Sequence, residues 1–424
     1  MDARGDRAEL STRYRAVRDG TEALARMLSA EDQQLQSMPD ASPTKWHRAH
    51  VSWFFEEFLL RPSGVPPVDE RYRYLFNSYY DAVGPRHPRP RRGVLSRPTL
   101  AEVEAYRRAI DGRMLELLLS VDDARLAELR PLLELGLAHE EQHQELILTD
   151  IVHAFSESPL LPAVRRASER PALPAVQAPP LRFLEHAGGL CEVGARAGSG
   201  FHFDNEAPRH RVFLEPYALA SRAITVGEVI AFIRAGGYLS PALWLSEGWD
   251  WARARGREAP AYCRLEGGRA VVFGVDGERE ALDDEPAAHL SYFEADALAR
   301  FLGGRLPTEH EWEHAAARVD PRAGNFRESG ALVPRPAASE SATRQLFGDV
   351  WEWTSSAHAP YPGFSPRAGA VGEYNGKFMV SQLVLRGGSC LSPVGHLRST
   401  YRNFWPPGTF FQMSGARVAR SLAG

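Results

Sequence analysis

The chain has 424 residues, too many for one ordinary hydrophobic core, so two domains are the starting expectation. Apolar residues at 44% and charged residues at 25% are the balance of a folded globular chain and exclude a disordered or fibrous one. Lys+Arg 50 against Asp+Glu 54 leaves a net charge of −4 with no basic stripe, which argues against a nucleic-acid partner.

The opening stretch, "MDARGDRAELSTRYRAVRDG", is charged throughout and lacks an apolar h-region, and no later segment has the apolar length of a membrane span. A cytoplasmic protein with no membrane partner is expected. Three cysteines, Cys191, Cys263 and Cys390, are too few and too far apart for a disulfide framework or a C-x-x-C site, so any metal must be held by His or carboxylate.

From about Leu10 to Phe155 apolar residues recur three and four apart, which predicts a bundle of roughly four helices within residues 1–156. In "SPTKWHRAHVSWFFEEFLL" Ser42 reads as an N-cap and Pro43 as the first helical residue, and Trp46, His50, Trp53 and Phe54 then share one face. Residues 157–180 turn proline-rich ("PLLPAVRRASERPALPAVQAPP") and read as a domain linker. Beyond it, residues 181–424 show short apolar runs broken by Gly, Pro, Asn and Asp, the pattern of a loop-rich α+β domain.

The stretch "HEEQH", His139 to His143, fits H-E-x-x-H, in which two helical histidines hold zinc and the glutamate activates water. A second pair four apart, His310 and His314 in "PTEHEWEH", flanks Trp312 behind an expected N-cap at Thr308 and reads as structural. The first pair differs. Leu135, His139, Gln142, His143, Leu146 and Ile147 share one helical stripe, with Glu140, Glu141, Gln144 and Glu145 on the other side, so both imidazoles are expected to face the bundle interior. Two buried rings need hydrogen-bond partners or a metal. The extended zinc-protease pattern fails, because Leu146 and Thr149 stand where it requires Gly and His. A third ligand belongs on a facing helix: His50 is favoured, with His47 one turn before it as the alternative. Three neutral imidazoles with open positions suit catalytic zinc or non-heme Fe(II), and spacing alone does not choose.

These motifs, "SPTKWHRAHVSWFFEEFLL", "YLFNSYYDAVGPRHPRPRRG" and "HEEQHQELILTD", resemble the DinB-like helical domain of the ergothioneine-biosynthesis sulfoxide synthases, the hercynine oxygenases. "FDNEAPRHRV", "GRLPTEHEWEHAA", "FGDVWEWTSS", "VLRGGSC" and "SGARVA" resemble the formylglycine-generating, sulfatase-modifying-factor domain. The resemblance runs from about Leu10 to Ala419 and implies an α plus α+β chain: a DinB-like four-helix bundle followed by a C-type-lectin-like domain. "NSYYDAVGPRHPRPRRG" and "GEYNGKFM" look like the bacterial subgroup thought to take cysteine or a small cysteine thiol such as γ-glutamylcysteine.

The resemblance implies that Fe(II), held by His50, His139 and His143, joins the thiol sulfur to the imidazole C2 of hercynine with O2, leaving a sulfoxide. It points to Tyr79 and Tyr80 as candidate proton or hydrogen-atom donors, and to Arg86, Arg89 and Arg92 as partners of the thiol substrate's carboxylate. Gln142 and Asn403 would hydrogen-bond the hercynine carboxylate, and Phe404 or Trp405 would face its quaternary ammonium, so the active site is expected to draw on both domains. Two departures stand out: Phe410 and Phe411 occupy the place of an Arg and a Trp, and Cys263 that of a common aromatic. Cys390 has no second cysteine nearby in sequence and reads as structural. The rival readings are ovothiol-type coupling to histidine, whose enzymes usually carry an extra methyltransferase domain, a zinc-dependent thiol transferase, and a non-catalytic binding module.

Overall fold

In the computed structural model, residues 3–172, 177–337 and 345–422 are described. The chain divides into two compact units: Met1–Val164 with Arg367–Tyr374, and Arg165–Pro366 with Asn375–Gly424.

The first unit is built on four long helices, α1 (Ala3–Ala25), α2 (Thr44–Phe55), α4 (Leu100–Ser120) and α5 (Asp123–Ser156), with a short α3 (Tyr72–Phe76) between the second and third. Leu10, Tyr14, Val17 and Leu24 of α1, and Val103, Tyr106, Ile110, Met114 and Leu118 of α4, form buried stripes at helical spacing. Helix α2 is buried along its whole length, and Lys45, His47, Arg48 and Ser52 all find hydrogen-bond partners there. Arg48, for example, donates to Glu22 at 2.6 Å and to Gln33 at 2.9 Å. The N-cap of α2 is Pro43, one residue later than expected, and no side chain caps it. Ser42 is engaged elsewhere, its amide donating to Asp150 and its hydroxyl accepting from Arg92. After Phe55 the helix loosens into a π-helical turn, Glu56–Leu60.

The face assignment of α5 needs one correction. Its histidine stripe is inward as expected, but Glu140 and Gln144 are buried too, because α5 packs against α1 on the opposite side. The long helix has two interior faces, one apolar and histidine-bearing, one charged.

The stretch expected as a linker is divided between the units. Residues up to Val164 belong to the first, while Arg165 pairs with Asp276 and donates to the carbonyls of Gly330 and Ala331 in the second. The tie is an ion pair plus carbonyl contacts, which proline content alone does not reveal. Residues 173–176 of that stretch lie outside the described residues.

The second unit is mixed. A four-stranded sheet runs in the order Asn403–Trp405, Leu383–Arg386, Trp351–Ala357, Ser414–Ala416, and a three-stranded sheet joins Phe183–His186, Tyr217–Ala220 and Ala419–Ser421. Four helices, α6 (Val226–Arg234), α7 (Ser246–Ala254), α8 (Tyr292–Phe301) and α9 (Glu309–Ala316), complete its regular frame with a separate hairpin and a three-stranded meander. Thr308 does cap α9, with Glu311 closing the capping box, and Trp312 is buried. Cys390 is buried, and none of the three cysteines is in a disulfide. No helix among the described residues is long and apolar enough to cross a membrane.

Candidate active site

Helices α2 and α5 bring His50, His139 and His143 together, with one ring nitrogen of each within 4.8 Å of the others. Among the described residues this is the one cluster of three or more His, Cys, Asp or Glu with metal-ligand spacing. The close approach depends on Gly136, one turn before His139. A Cβ there would stand 2.6 Å from a ring carbon of Phe55 and 3.0 Å from one of Phe54.

Each ring is held differently. His50 is sandwiched between Trp46 (centroids 4.6 Å, 14°) and Trp53 (5.5 Å, 18°), and its Nδ1–H donates to the carbonyl of Phe76 at 2.6 Å. A carbonyl can only accept, so neutral His50 carries its lone pair on Nε2. That nitrogen lies 3.2 Å from His139 Nε2. His143 Nδ1 lies 2.7 Å from His47 Nδ1, whose Nε2 reaches Asp150 at 3.0 Å. His47 therefore stands behind the cluster and His50 in it.

Burial drives all three imidazoles toward the neutral form, His139 down to about 3 and the other two well below the usual value. Two imidazole nitrogens at 3.2 Å share either the N–H of one neutral ring or a cation, and burial keeps both rings uncharged and able to offer a lone pair to a metal. His139 Nδ1 is itself buried without a hydrogen-bond partner. The donor set thus fits a divalent metal ion of intermediate softness, and the cluster holds no carboxylate to complete a closed four-ligand shell.

Gln142, on the α5 turn between the two histidines, accepts a hydrogen bond from the Tyr374 hydroxyl, and the Tyr374 ring lies 5.6 Å from that of His139. Residues 182–331 and 321–422 match the family described as a sulfatase-modifying factor enzyme 1-like domain, and residues 13–147 match the DinB superfamily. A hercynine oxygenase of Mycobacterium tuberculosis is 32% identical over 425 residues, covering 93% of this chain and 95% of its own length. One from Mycolicibacterium smegmatis is 32% identical over 434 residues, covering 94% and 96%. The chain belongs to the hercynine oxygenase family.

It is accordingly an oxygenase enzyme, a helical unit followed by a sulfatase-modifying-factor unit. Ergothioneine biosynthesis protein 1 of Schizosaccharomyces pombe is also similar, 25% identical over 236 residues that cover 52% of this chain and 28% of that protein. In this hercynine oxygenase family member the tyrosine pair lies in the first unit with the histidines. Tyr80 is buried, its ring 5.8 Å from Trp53 and 4.6 Å from Tyr79, and Tyr79 is 6.2 Å from Tyr374. Burial, with Tyr79 next, raises the Tyr80 hydroxyl well above the usual phenol range.

The three arginines differ in setting. Arg86 is exposed in an ion pair with Asp81, and Arg89 is exposed and donates to the Asp40 carbonyl. Asp81 is five residues from Arg86 and captures it locally. Arg92 alone is buried, at 3% exposure, lying 3.4 Å over the Trp46 ring and donating to the hydroxyls of Ser42 and Ser78 at 3.0 and 3.2 Å. Its Nε has no hydrogen-bond partner, and burial pulls its proton affinity well down, with Arg89 adding to the effect.

Asn403, Phe404 and Trp405 form one edge strand of the second unit. The Asn403 side chain accepts from the Phe404 amide at 2.9 Å, Phe404 stacks on His358 at 3.9 Å, and Trp405 meets Phe411 at 5.4 Å. Phe410, the other departure, lies 4.6 Å beneath the Arg257 guanidinium.

Tyr374 is the site residue that sequence reasoning passed over. It lies 232 positions from Gln142, in the segment Arg367–Tyr374 that folds with the helical unit. The "GEYNGKFM" motif holds the only signal for it. Its neighbour Glu373 accepts from the amides of Asp81 and Ala82 at 2.9 and 2.8 Å, which fixes the turn that follows Tyr80.

Proposed function

We propose that this oxygenase is an iron(II)-dependent sulfoxide synthase that couples a cysteine-type thiol to C2 of the hercynine imidazole. One C–H and one S–H bond break, a C–S bond and a sulfoxide oxygen form, and the second oxygen atom of O2 leaves as water. The observation that carries the reading is the trio His50, His139 and His143, drawn toward the neutral form by burial, with the Nε2 lone pair of His50 turned toward the cluster. Bound iron would supply O2 binding and one-electron chemistry that no side chain of this chain provides.

The remaining work falls to protein groups. Gln142 would hold the hercynine carboxylate beside the cluster, its amide oriented by the Tyr374 hydroxyl. The buried Arg92, with an unpaired Nε and no carboxylate within hydrogen-bond reach among the described residues, would receive the carboxylate of the thiol substrate. Phe404 and Trp405 offer aromatic faces of the kind that attract a trimethylammonium group, with Asn403 as the polar contact. Tyr374, Tyr79 and Tyr80 form a run of phenols from which a proton can be delivered, and Tyr374 touches Gln142.

The test is mass spectrometry on Fe(II)-loaded protein given O2, hercynine and, in separate reactions, cysteine or γ-glutamylcysteine. A product at the mass of the coupled sulfoxide in either reaction supports the reading and identifies the thiol. Bound iron without product in both overturns it in favour of histidine as acceptor, or of thiol transfer with zinc. His139→Ala should lose metal and turnover together.

A further inference from the structure

Behind His143 runs a buried chain of polar groups that none of the roles above uses. His47 is on α2, one turn before His50, and Asp150 is on α5, two turns after His143. His47 and Asp150 are both buried. His47 bridges the two, with 2.7 Å from its Nδ1 to His143 Nδ1 and 3.0 Å from its Nε2 to Asp150 Oδ2. The same carboxylate oxygen accepts the Ser42 amide at 2.8 Å, while Asp150 Oδ1 is buried without a hydrogen-bond partner.

The direction of the chain is set by its last member. A carboxylate can only accept, so the proton of His47 sits on Nε2. When His47 carries that one ring proton its Nδ1 is an acceptor, which requires His143 to donate from Nδ1 and leaves the lone pair of His143 on Nε2. A half-satisfied buried carboxylate is costly unless the fold uses its charge. His50 is oriented by a neutral carbonyl and His139 by packing, so His143 is the member of the trio whose outer nitrogen leads to a full negative charge.

We propose that His47 and Asp150 are positioning residues: they hold His143 in the Nδ1–H tautomer with its ring plane fixed, and through the Asp150 charge they raise its strength as a metal ligand. The inference rests on the reading of the three histidines as a metal site. Outer partners of ligating histidines typically contribute about 10–100-fold in metal affinity.

Two measurements test it. In metal-free protein labelled with 15N-histidine, the ring-nitrogen shifts should report His143 protonated at Nδ1, and a wild-type His143 protonated at Nε2 overturns the inference without reference to any metal. Fe(II) and Co(II) affinities, measured anaerobically by chelator competition, should fall about 10–100-fold in Asp150→Ala and His47→Phe. Asp150→Asn should fall less, since an amide oxygen can still accept from His47 and Ser42. Unchanged affinity in both His47→Phe and Asp150→Ala overturns the proposal, as does a lower unfolding temperature of the metal-free variants with wild-type affinity, the mark of a purely structural role. Failure of the wild type itself to bind metal would instead overturn the metal reading.

Discussion

Glu140 is the most demanding test of the helical unit's interior. Its carboxylate is fully buried and accepts from Arg18 at 2.9 Å, Arg107 at 3.0 Å and Thr21 at 2.7 Å. Burial pushes its proton affinity up, but Arg18, Arg107 and the Thr21 hydroxyl outweigh that and hold it at about 2 against an ordinary 4.5. At about 1.4 kcal/mol for each tenfold change, the depression corresponds to roughly 3 kcal/mol of folding stability at neutral pH. Because the folded-state value lies below the unfolded one, this contribution is complete above about pH 4.5 and is lost as pH falls toward 2. Glu140→Gln keeps the shape and removes the charge, leaving two buried guanidiniums short of a counter-ion. For a unit of this size, a loss of about 3 kcal/mol lowers the unfolding temperature by about 6–12 °C. Calorimetry of metal-free wild type and variant at pH 7 and pH 3 reads both effects: a large gap at pH 7 that narrows at pH 3. A gap under about 1 kcal/mol at pH 7 would refute the argument that this buried network is net stabilising.

Four further outcomes follow from other places in the molecule. Burial pushes Asp349 up to about 6, so the wild type loses stability as pH rises from about 4 through 6, and Asp349→Asn should flatten that slope in urea unfolding. The left-handed backbone there (φ 55°) also tolerates Asn. Gly136→Ala should lower both stability, by about 1–3 kcal/mol, and metal affinity, despite Ala's better helix propensity, because the new Cβ meets two phenylalanine rings; calorimetry and chelator competition read it. Arg92→Gln should raise the KM for the thiol about 10–100-fold with a smaller effect on the KM for hercynine, the loss of a charge-assisted hydrogen bond in steady-state assays. Tyr374→Phe should lower kcat about 100-fold or more if this phenol delivers the proton, while Tyr79→Phe should then cost little.

Helical spacing placed the four-helix architecture and the inward face of His139 and His143, since a buried stripe three and four apart has few other meanings. The choice of His50 over His47 also agrees with the geometry, although spacing favoured it only because His47 sits nearer the helix start. What spacing could not show is the second interior face of α5: Glu140 and Gln144 read as solvent-facing, and only the facing positions of Arg18, Arg107 and Thr21 make them interior. The different settings of the three arginines were out of reach for a similar reason, since which carboxylate lies nearest a guanidinium is decided by the fold, and Asp81 pairs with Arg86. Tyr374 escaped because its partner Gln142 is 232 residues away.

That eight-residue return of the chain bears on how such a protein can change over time. A helical unit that relies on Glu373 to fix its tyrosine turn and on Tyr374 to orient Gln142 is not a module that can be cut out at residue 164 and carried to another context. Gene fragments ending there would encode every histidine of the cluster and still lack the phenol beside it. Recombination between related genes should therefore succeed best where both segments of the helical unit travel from one parent.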